Sequence, residues 1–373
     1  MNFIPINGVQ KMDKGKKKRL LIRLLTLGAL ILTVIVTFVL ANIPVVAEYF
    51  FARGITRGLG FLFSRATNYI PVSFYEWTAV LLIAGGITLL VFLVVLLCRK
   101  KFAQAGVCLY RLAVAVLFVL LAFGVLYAPL YERESSREAL GLSEAVFTEE
   151  KLYEAAEYYV ASLNEVSAEL ERDEKGNVIP THTFSELSDI FNAEFSKLNS
   201  DYFAAYEVRP KQVVLSVPMS YLGITGIYFP FFAESNVNMN IPAFELPNTM
   251  AHEMAHAKGV SRENEANIIS YTLCIRADDA YLNYSGLMRA AANLINALPK
   301  EEAKTLRERL APEILQEYRN ENEHYEKYEG LLDRISSLFN NLFLKANGVQ
   351  SGTRSYGETT RSLVALYEQL KDA

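Results

Sequence analysis

Three stretches in the first third of the chain contain no charged residue: Leu24 to Ala47, Thr78 to Cys98 and Leu112 to Tyr131. A hydrocarbon layer about 30 Å thick takes roughly 20 residues of helix to cross, and a helix satisfies its own backbone where no water can. The stretches predict membrane-crossing helices at about residues 24–43, 78–98 and 112–131, within an anchor of residues 1–131. A buried core helix explains one such stretch, not three in succession. The rest of the composition agrees: 51% of residues are hydrophobic and mean hydropathy is +0.16, too high for a disordered chain. The 37 basic and 41 acidic residues nearly balance, which gives no reason to expect nucleic acid as a partner. Cys98, Cys108 and Cys274 are too few for a disulfide framework.

Lys and Arg placement orients the anchor in the bilayer. Lys11, Lys14, Lys16, Lys17, Lys18, Arg19 and Arg23 precede the first stretch against a single acid, Asp13, and Arg99, Lys100, Lys101 and Arg111 link the second stretch to the third. Both segments are expected in the cytoplasm, which makes the chain a multi-pass protein of the cell membrane with its C-terminal part outside. The first stretch also fits a cleavable leader, although it is longer than such leaders usually are. Between Glu48 and Trp77, apolar residues mix with Arg53, Arg57 and Arg65, as in a helix lying along the outer interface or one packed on the soluble part.

From residue 132 to 373 the pattern is that of one α+β domain, mostly helical, with a small sheet. Glu149 to Leu170 and Phe184 to Leu198 have helical spacing. Gln212 to Phe232, rich in Val, Ile and Tyr and broken by Pro218, Gly223 and Gly226, reads as short strands or a hairpin. Val237 to Ile241 alternates apolar and polar residues, the mark of a strand with one apolar and one polar face. The remainder is helical nearly to the end.

Two of the four histidines fall in His252-Glu253-Met254-Ala255-His256, an HExxH pattern. On a helix, positions four apart share a face, so both imidazoles can reach one zinc ion, and Glu253 stands where it can take a proton from the attacking water. The surroundings are helical too: Asn248 or Thr249 after Pro247 can cap the start, and Gly259 can end the helix in a left-handed conformation. The bland alternative is a pair of histidines bonded to neighbouring acids. A third ligand is nevertheless close at hand. After Gly259, Ser261 can cap a second helix on which Glu263 and Asn267 share a face, Glu263 as a zinc ligand and Asn267 as the residue that orients an imidazole. Glu265 is the alternative ligand, but an ideal helix points it away from Glu263.

HExxH followed by Glu263-x-x-Ala266-Asn267 resembles the gluzincin metallopeptidases, including the membrane-embedded CAAX-protease and heat-shock HtpX type. The resemblance implies a zincin-like domain in which His252, His256 and Glu263 bind zinc and Glu253 is the base. Two departures stand out: Asn267 replaces the more usual Asp, and only six residues separate His256 from Glu263, where most gluzincins have a longer insertion. More of the chain, namely the three apolar stretches, Gly226 to Pro230, Glu234 to Asn238, Ile241-Pro242, Leu246-Pro247 and the block from His252 to Asn267, is similar to an uncharacterised bacterial membrane family, a domain of unknown function. Peptidases of the gluzincin type commonly hold substrate on an edge strand upstream of the HExxH helix, which implies Asn236 and Asn238 as the substrate strand. Tyr228, Tyr271, Arg276, His182 and His324 are candidates for steadying the tetrahedral intermediate.

The leading expectation is a membrane-anchored zinc peptidase acting on a protein or peptide substrate. HExxH lies outside the apolar stretches, with Lys258, Arg262, Glu263 and Glu265 close behind it, so cleavage is expected in water or at the membrane surface. The rivals are a non-catalytic sensor or scaffold with a structural metal site, and a zinc hydrolase of lipid or cell-wall material.

Overall fold

The apolar stretches form long helices in the computed structural model, which describes residues 14–142, 146–347 and 356–371. The chain runs through α1 (Lys14–Ala41), a π-helical segment (Val46–Thr56), α2 (Arg57–Thr67), α3 (Phe74–Cys98) and α4 (Phe102–Leu126). Three of these, α1, α3 and α4, are long and apolar enough to cross a membrane. α1 starts earlier than expected because Lys and Arg are good helix formers. α4 begins at Phe102 rather than near residue 112 and stops at Leu126, short of Tyr131. The stop is local chemistry: Pro129 offers no N–H and disfavours helix in the residue before it, and Ala128–Glu132 becomes a buried 3-10 turn. α1 and α4 pack closely at Gly124, where a Cβ would come 3.0 Å from the Phe38 ring.

The π-helical segment and α2 pack on the soluble part. Arg57 Nη2 donates to the carbonyls of Asp201 (2.6 Å) and Tyr202 (3.0 Å), and Asn68 Nδ2 to that of Glu207 (2.9 Å). Glu48 is buried between Arg53 (2.6 Å) and Arg133 (2.9 Å), which ties the end of the anchor to the chain that follows it.

Beyond α4 lie α5 (Glu149–Ser167), α6 (Phe184–Lys197), β1 (Lys211–Val213), the short α7 (Ser216–Ser220), β2 (Gly226–Phe229) and β3 (Glu234–Asn238). Then come α8 (Glu245–Ala257), α9 (Glu263–Arg276), α10 (Ala280–Ala297), α11 (Lys300–Glu308), α12 (Pro312–Glu326), α13 (Leu331–Ala346) and α14 (Tyr356–Lys371). The fold is mostly helical with one small sheet, as the sequence indicated. The core forms where α8, α9, α10 and α5 meet, with Tyr159, Tyr281, Tyr284, Phe244, Met250 and Met254 fully enclosed.

The sheet departs from expectation in one respect that bears on function. Its order is β1-β3-β2, with β3 parallel to β1 and antiparallel to β2, so β3 is the inner strand. Both faces of β3 are covered. Ser235 and Val237 turn towards α8, where Ser235 Oγ donates to the Glu253 carbonyl (2.7 Å). On the other face Glu234 accepts from the Phe74 and Tyr75 N–H groups at the start of α3, and Asn236 Oδ1 accepts from Ser73 Oγ (2.7 Å). Asn238 Nδ2 donates to Ser220 Oγ and to the Ile224 carbonyl. The polar residues of β3 thus have their partners inside the protein, and the strand is not the edge that the sequence led us to expect.

Candidate metal centre

α8 begins three residues ahead of the expected cap, at Glu245, with Pro247 in the first turn where its missing N–H costs nothing. It ends as the sequence indicated. Gly259 has φ +102°, its N–H donates to the His256 carbonyl (3.0 Å), and the Val260 N–H donates to the Ala255 carbonyl (3.2 Å), which together make a Schellman turn. That turn also serves the site: it brings the Val260 carbonyl to 2.7 Å from His256 Nδ1, so His256 carries its proton on Nδ1 and presents a bare Nε2. The same tight reversal lets a link of six residues deliver Glu263. α9 starts at Glu263 itself, and Ser261, the expected cap, has a buried hydroxyl with no partner among the described residues.

His252, His256 and Glu263 converge. The two imidazole Nε2 atoms are 3.1 Å apart, one Glu263 oxygen lies 3.2 Å from His252 Nε2, and the other lies 3.7 Å from His256 Nε2. A tetrahedral zinc with bonds of about 2.0–2.1 Å spaces its donors roughly 3.3 Å apart, so the three side chains fit that ion. Asn267, one turn beyond Glu263, lies beside His252 and, after Glu263 and Glu253, helps to raise its imidazole pKa against desolvation. His256 is enclosed, whereas the Glu263 side chain is 41% exposed, which leaves the donor set open on one side. Desolvation pushes the Glu263 carboxyl up, but the His256 charge and the His252 hydrogen bond outweigh it and hold the group at about 2.

Glu253 sits behind this face, buried, with Oε2 lacking any hydrogen-bond partner among the described residues. Burial pushes its carboxyl up to about 8 against the pull of His252, with Glu263 adding to the rise. The carboxylate fits because β2 opens with Gly226: a Cβ there would come 2.5 Å from Glu253 Oε1.

Other sequence candidates lie elsewhere. Glu265 is not a ligand. It is buried on the opposite side of α9, where it accepts from the Ser136 N–H (3.2 Å) and pairs with Arg262 (3.3 Å). Asn236 and Asn238 are not a substrate edge, because β3 is paired along both sides. Arg276 bonds the Leu140 carbonyl and Gln369, His182 pairs with Asp279 (2.6 Å), and His324 meets the Asn240 carbonyl (2.9 Å).

Tyr228 does belong to the centre, its ring stacked on His256 at 6.4 Å. Two tyrosines that the sequence reading missed complete the wall. Tyr127 sits edge-on to His256 at 6.5 Å and 5.8 Å from Tyr228, and Tyr131 lies 5.7 Å from Tyr127. Burial raises Tyr228 well above the usual phenol range. The available signal was a Tyr-x-Pro-x-Tyr run at the end of an apolar stretch, which reads first as an aromatic belt at a membrane boundary.

Neither the curated proteins nor the solved structures include a match to this chain. A family model described as a protein of unknown function (DUF3810) matches residues 51–364, which takes in α3, α4, the sheet and the whole of the histidine and glutamate cluster, and the chain belongs to that family.

Proposed function

We propose that the chain is a membrane-anchored, zinc-dependent peptidase that hydrolyses peptide bonds in water at the membrane surface. The observation that carries this reading is the convergence of His252, His256 and Glu263 within zinc-binding reach, beside a buried acid with an uncommitted oxygen. The order of these residues resembles the gluzincin arrangement, and the exposure of Glu263 suits a catalytic site, which needs an open position, better than a closed structural one.

Bound zinc would supply Lewis-acid polarisation of a carbonyl and a lowered pKa for water. His252 and His256 hold the donor geometry, fixed in turn by Asn267 and the Val260 carbonyl. With a divalent cation's charge beside it to offset the burial that raises its carboxyl, Glu253 would be ionised, and it takes the proton of the attacking water on Oε2 and returns it to the leaving amine. Tyr228, stacked on His256, is the donor best placed to steady the charge that grows on the carbonyl oxygen. The substrate strand falls to β2, the outer strand next to Glu253, whose open side can accept an extended polypeptide by strand addition. On this reading the end of α1 that carries Lys14, Lys16, Lys17, Lys18 and Arg19 and the basic link between α3 and α4 lie in the cytoplasm, and three crossings leave the metal centre outside.

The test is metal analysis of the purified full chain beside His252→Ala and Glu263→Ala, with hydrolysis of an unstructured protein such as casein followed in parallel. One zinc per chain, lost in both variants, together with zinc-dependent proteolysis, is the expected result. Absence of zinc from the wild-type chain, or a Glu263→Ala variant that keeps it, would overturn the assignment.

A further inference from the structure

α13 carries a feature that the metal centre does not use. Leu331, Leu332, Ile335, Leu338, Phe339, Leu342 and Phe343 recur at helical spacing and are all at least 40% exposed, with Leu331 at 74%. Around the same helix Asp333, Ser337, Asn340 and Asn341 turn the other way, and Leu344, 3% exposed, packs among Tyr127, Leu130 and Tyr131. The helix is thus fastened near its C-terminal end by Leu344, and it presents its apolar stripe outward. A stripe of this size has to be covered by something.

The position of α13 says by what. Phe343 packs edge-on against Phe123 of α4 at 5.8 Å and lies 6.4 Å from Tyr131. Phe123 is three residues from the end of α4, about 4.5 Å along the helix axis, so α13 meets the membrane-spanning bundle at the depth of the headgroups. Its stripe continues the exposed apolar surface of α4 at Phe118, Val119 and Leu120. Trp77 stands 55% exposed in the first turn of α3, which enters the membrane on the side where α4 leaves it. At its other end Asp333 lies against Gly223, in the loop that leads to β2. α13 therefore links the loop before the candidate substrate strand to the tyrosines that wall the metal centre.

We infer that α13 is an in-plane helix whose apolar stripe lies in the phospholipid headgroup and upper acyl layer. The inference rests on the reading of α1, α3 and α4 as membrane-spanning and is independent of catalysis. It is the arrangement of an amphipathic helix at a lipid surface, with affinity from buried apolar area rather than from a protein partner.

Trp77 is the only tryptophan in the chain, so Trp77→Phe gives a silent background for single tryptophans. Leu338→Trp probes the stripe, Asn340→Trp the opposite side and Leu90→Trp the middle of α3, each in the full chain reconstituted into phosphatidylcholine vesicles with or without bromine on the acyl chains. The expected result is strong quenching of Leu90→Trp, quenching of Leu338→Trp by about twofold, and none of Asn340→Trp. Quenching of Leu90→Trp alone would overturn the inference while sparing the anchor. In that case a blue-shifted, unquenched Leu338→Trp would mean that protein covers the stripe, and a red-shifted one that water does. Loss of quenching at Leu90→Trp as well would overturn the membrane reading and this inference with it.

Discussion

The two ends of α8 carry acids in equally buried positions, and the protein treats them in opposite ways. Glu245, in the first turn, is 3% exposed and Glu253, two turns on, is 5% exposed. Glu245 is held by charge: Arg289 of α10 lies 2.5 Å from its Oε1 as an ion pair, off hydrogen-bond alignment, Arg289 also pairs with Glu321 of α12 at 2.8 Å, and the Tyr325 hydroxyl donates to Glu245 Oε2 at 2.7 Å. Glu253 has an oxygen with no partner and a glycine pressed against the other. Desolvation raises both carboxyls, but in Glu245 the Arg289 charge works against it, while at Glu253 only the neighbouring imidazole does so. A buried acid with a cationic partner ties helices together; one kept without such a partner carries a cost of about 1–3 kcal/mol and is a candidate for a group that a ligand or a reaction uses.

Breaking each end separately should separate the two roles. Glu253→Gln keeps size and packing and removes the base, so hydrolysis should fall by about 10²–10⁴-fold with zinc content unchanged, read from initial rates and metal analysis on the same sample. A variant that retained full rate would leave Glu253 with no chemical part. Arg289→Met strikes the other end. Removing one member of a buried pair costs about 3–5 kcal/mol, so the melting temperature of the full chain should drop sharply while the surviving folded fraction still holds zinc. Zinc loss in proportion to folded protein would show that the two ends are not independent.

Gly226→Ala sharpens the comparison from the side of the sheet. The added methyl would come 2.5 Å from Glu253 Oε1 and has to displace it. A shift of roughly 1 Å at a catalytic group costs about 10²-fold in rate, so kcat should fall with little change in melting temperature or zinc content. Unchanged kcat would mean that the carboxylate has room to move and that the close approach of β2 carries no positioning role.

How much of this was legible in the sequence depends on how local each feature is. Two histidines four apart and Glu263 on the next helix are fixed by helical geometry and one glycine turn, and the structure brings all three together. Glu265 could be set aside on the same grounds, since residues two apart on a helix point to nearly opposite sides. The strand β3 misled as an edge for substrate because its own sequence records neither its pairing on both sides nor the burial of its polar residues. They are covered by the start of α3 and by α7, elements far away along the chain. Tyr127 and Tyr131 were missed for a related reason: they lie more than a hundred residues before His256 and meet it only because the anchor folds back onto the soluble part. Nothing in the periodicity of an apolar stretch records which face of its last turn will wall a polar site.

Glu48 supplies the smallest effect and a second case of a buried acid with a cationic partner. It is buried between Arg133 and Arg53, and although burial raises its carboxyl, the hydrogen bonds and charges of those two arginines bring it down from 4.5 to about 2. Its folded-state value lies below its free value, so the stabilisation is complete above pH 4.5 and disappears as pH falls towards 2. The melting temperature of the full chain in detergent should therefore decline through this acid range, and in Glu48→Gln, which has no charge to lose, the decline should be shallower. The effect belongs to the joint between anchor and soluble part, because Arg133 also donates to the Gly259 carbonyl at 2.7 Å, at the turn that ends α8. If Glu48 were instead an acid of the Glu253 kind, unpartnered and raised, the slope would have the opposite sign, with stability gained rather than lost as the pH falls.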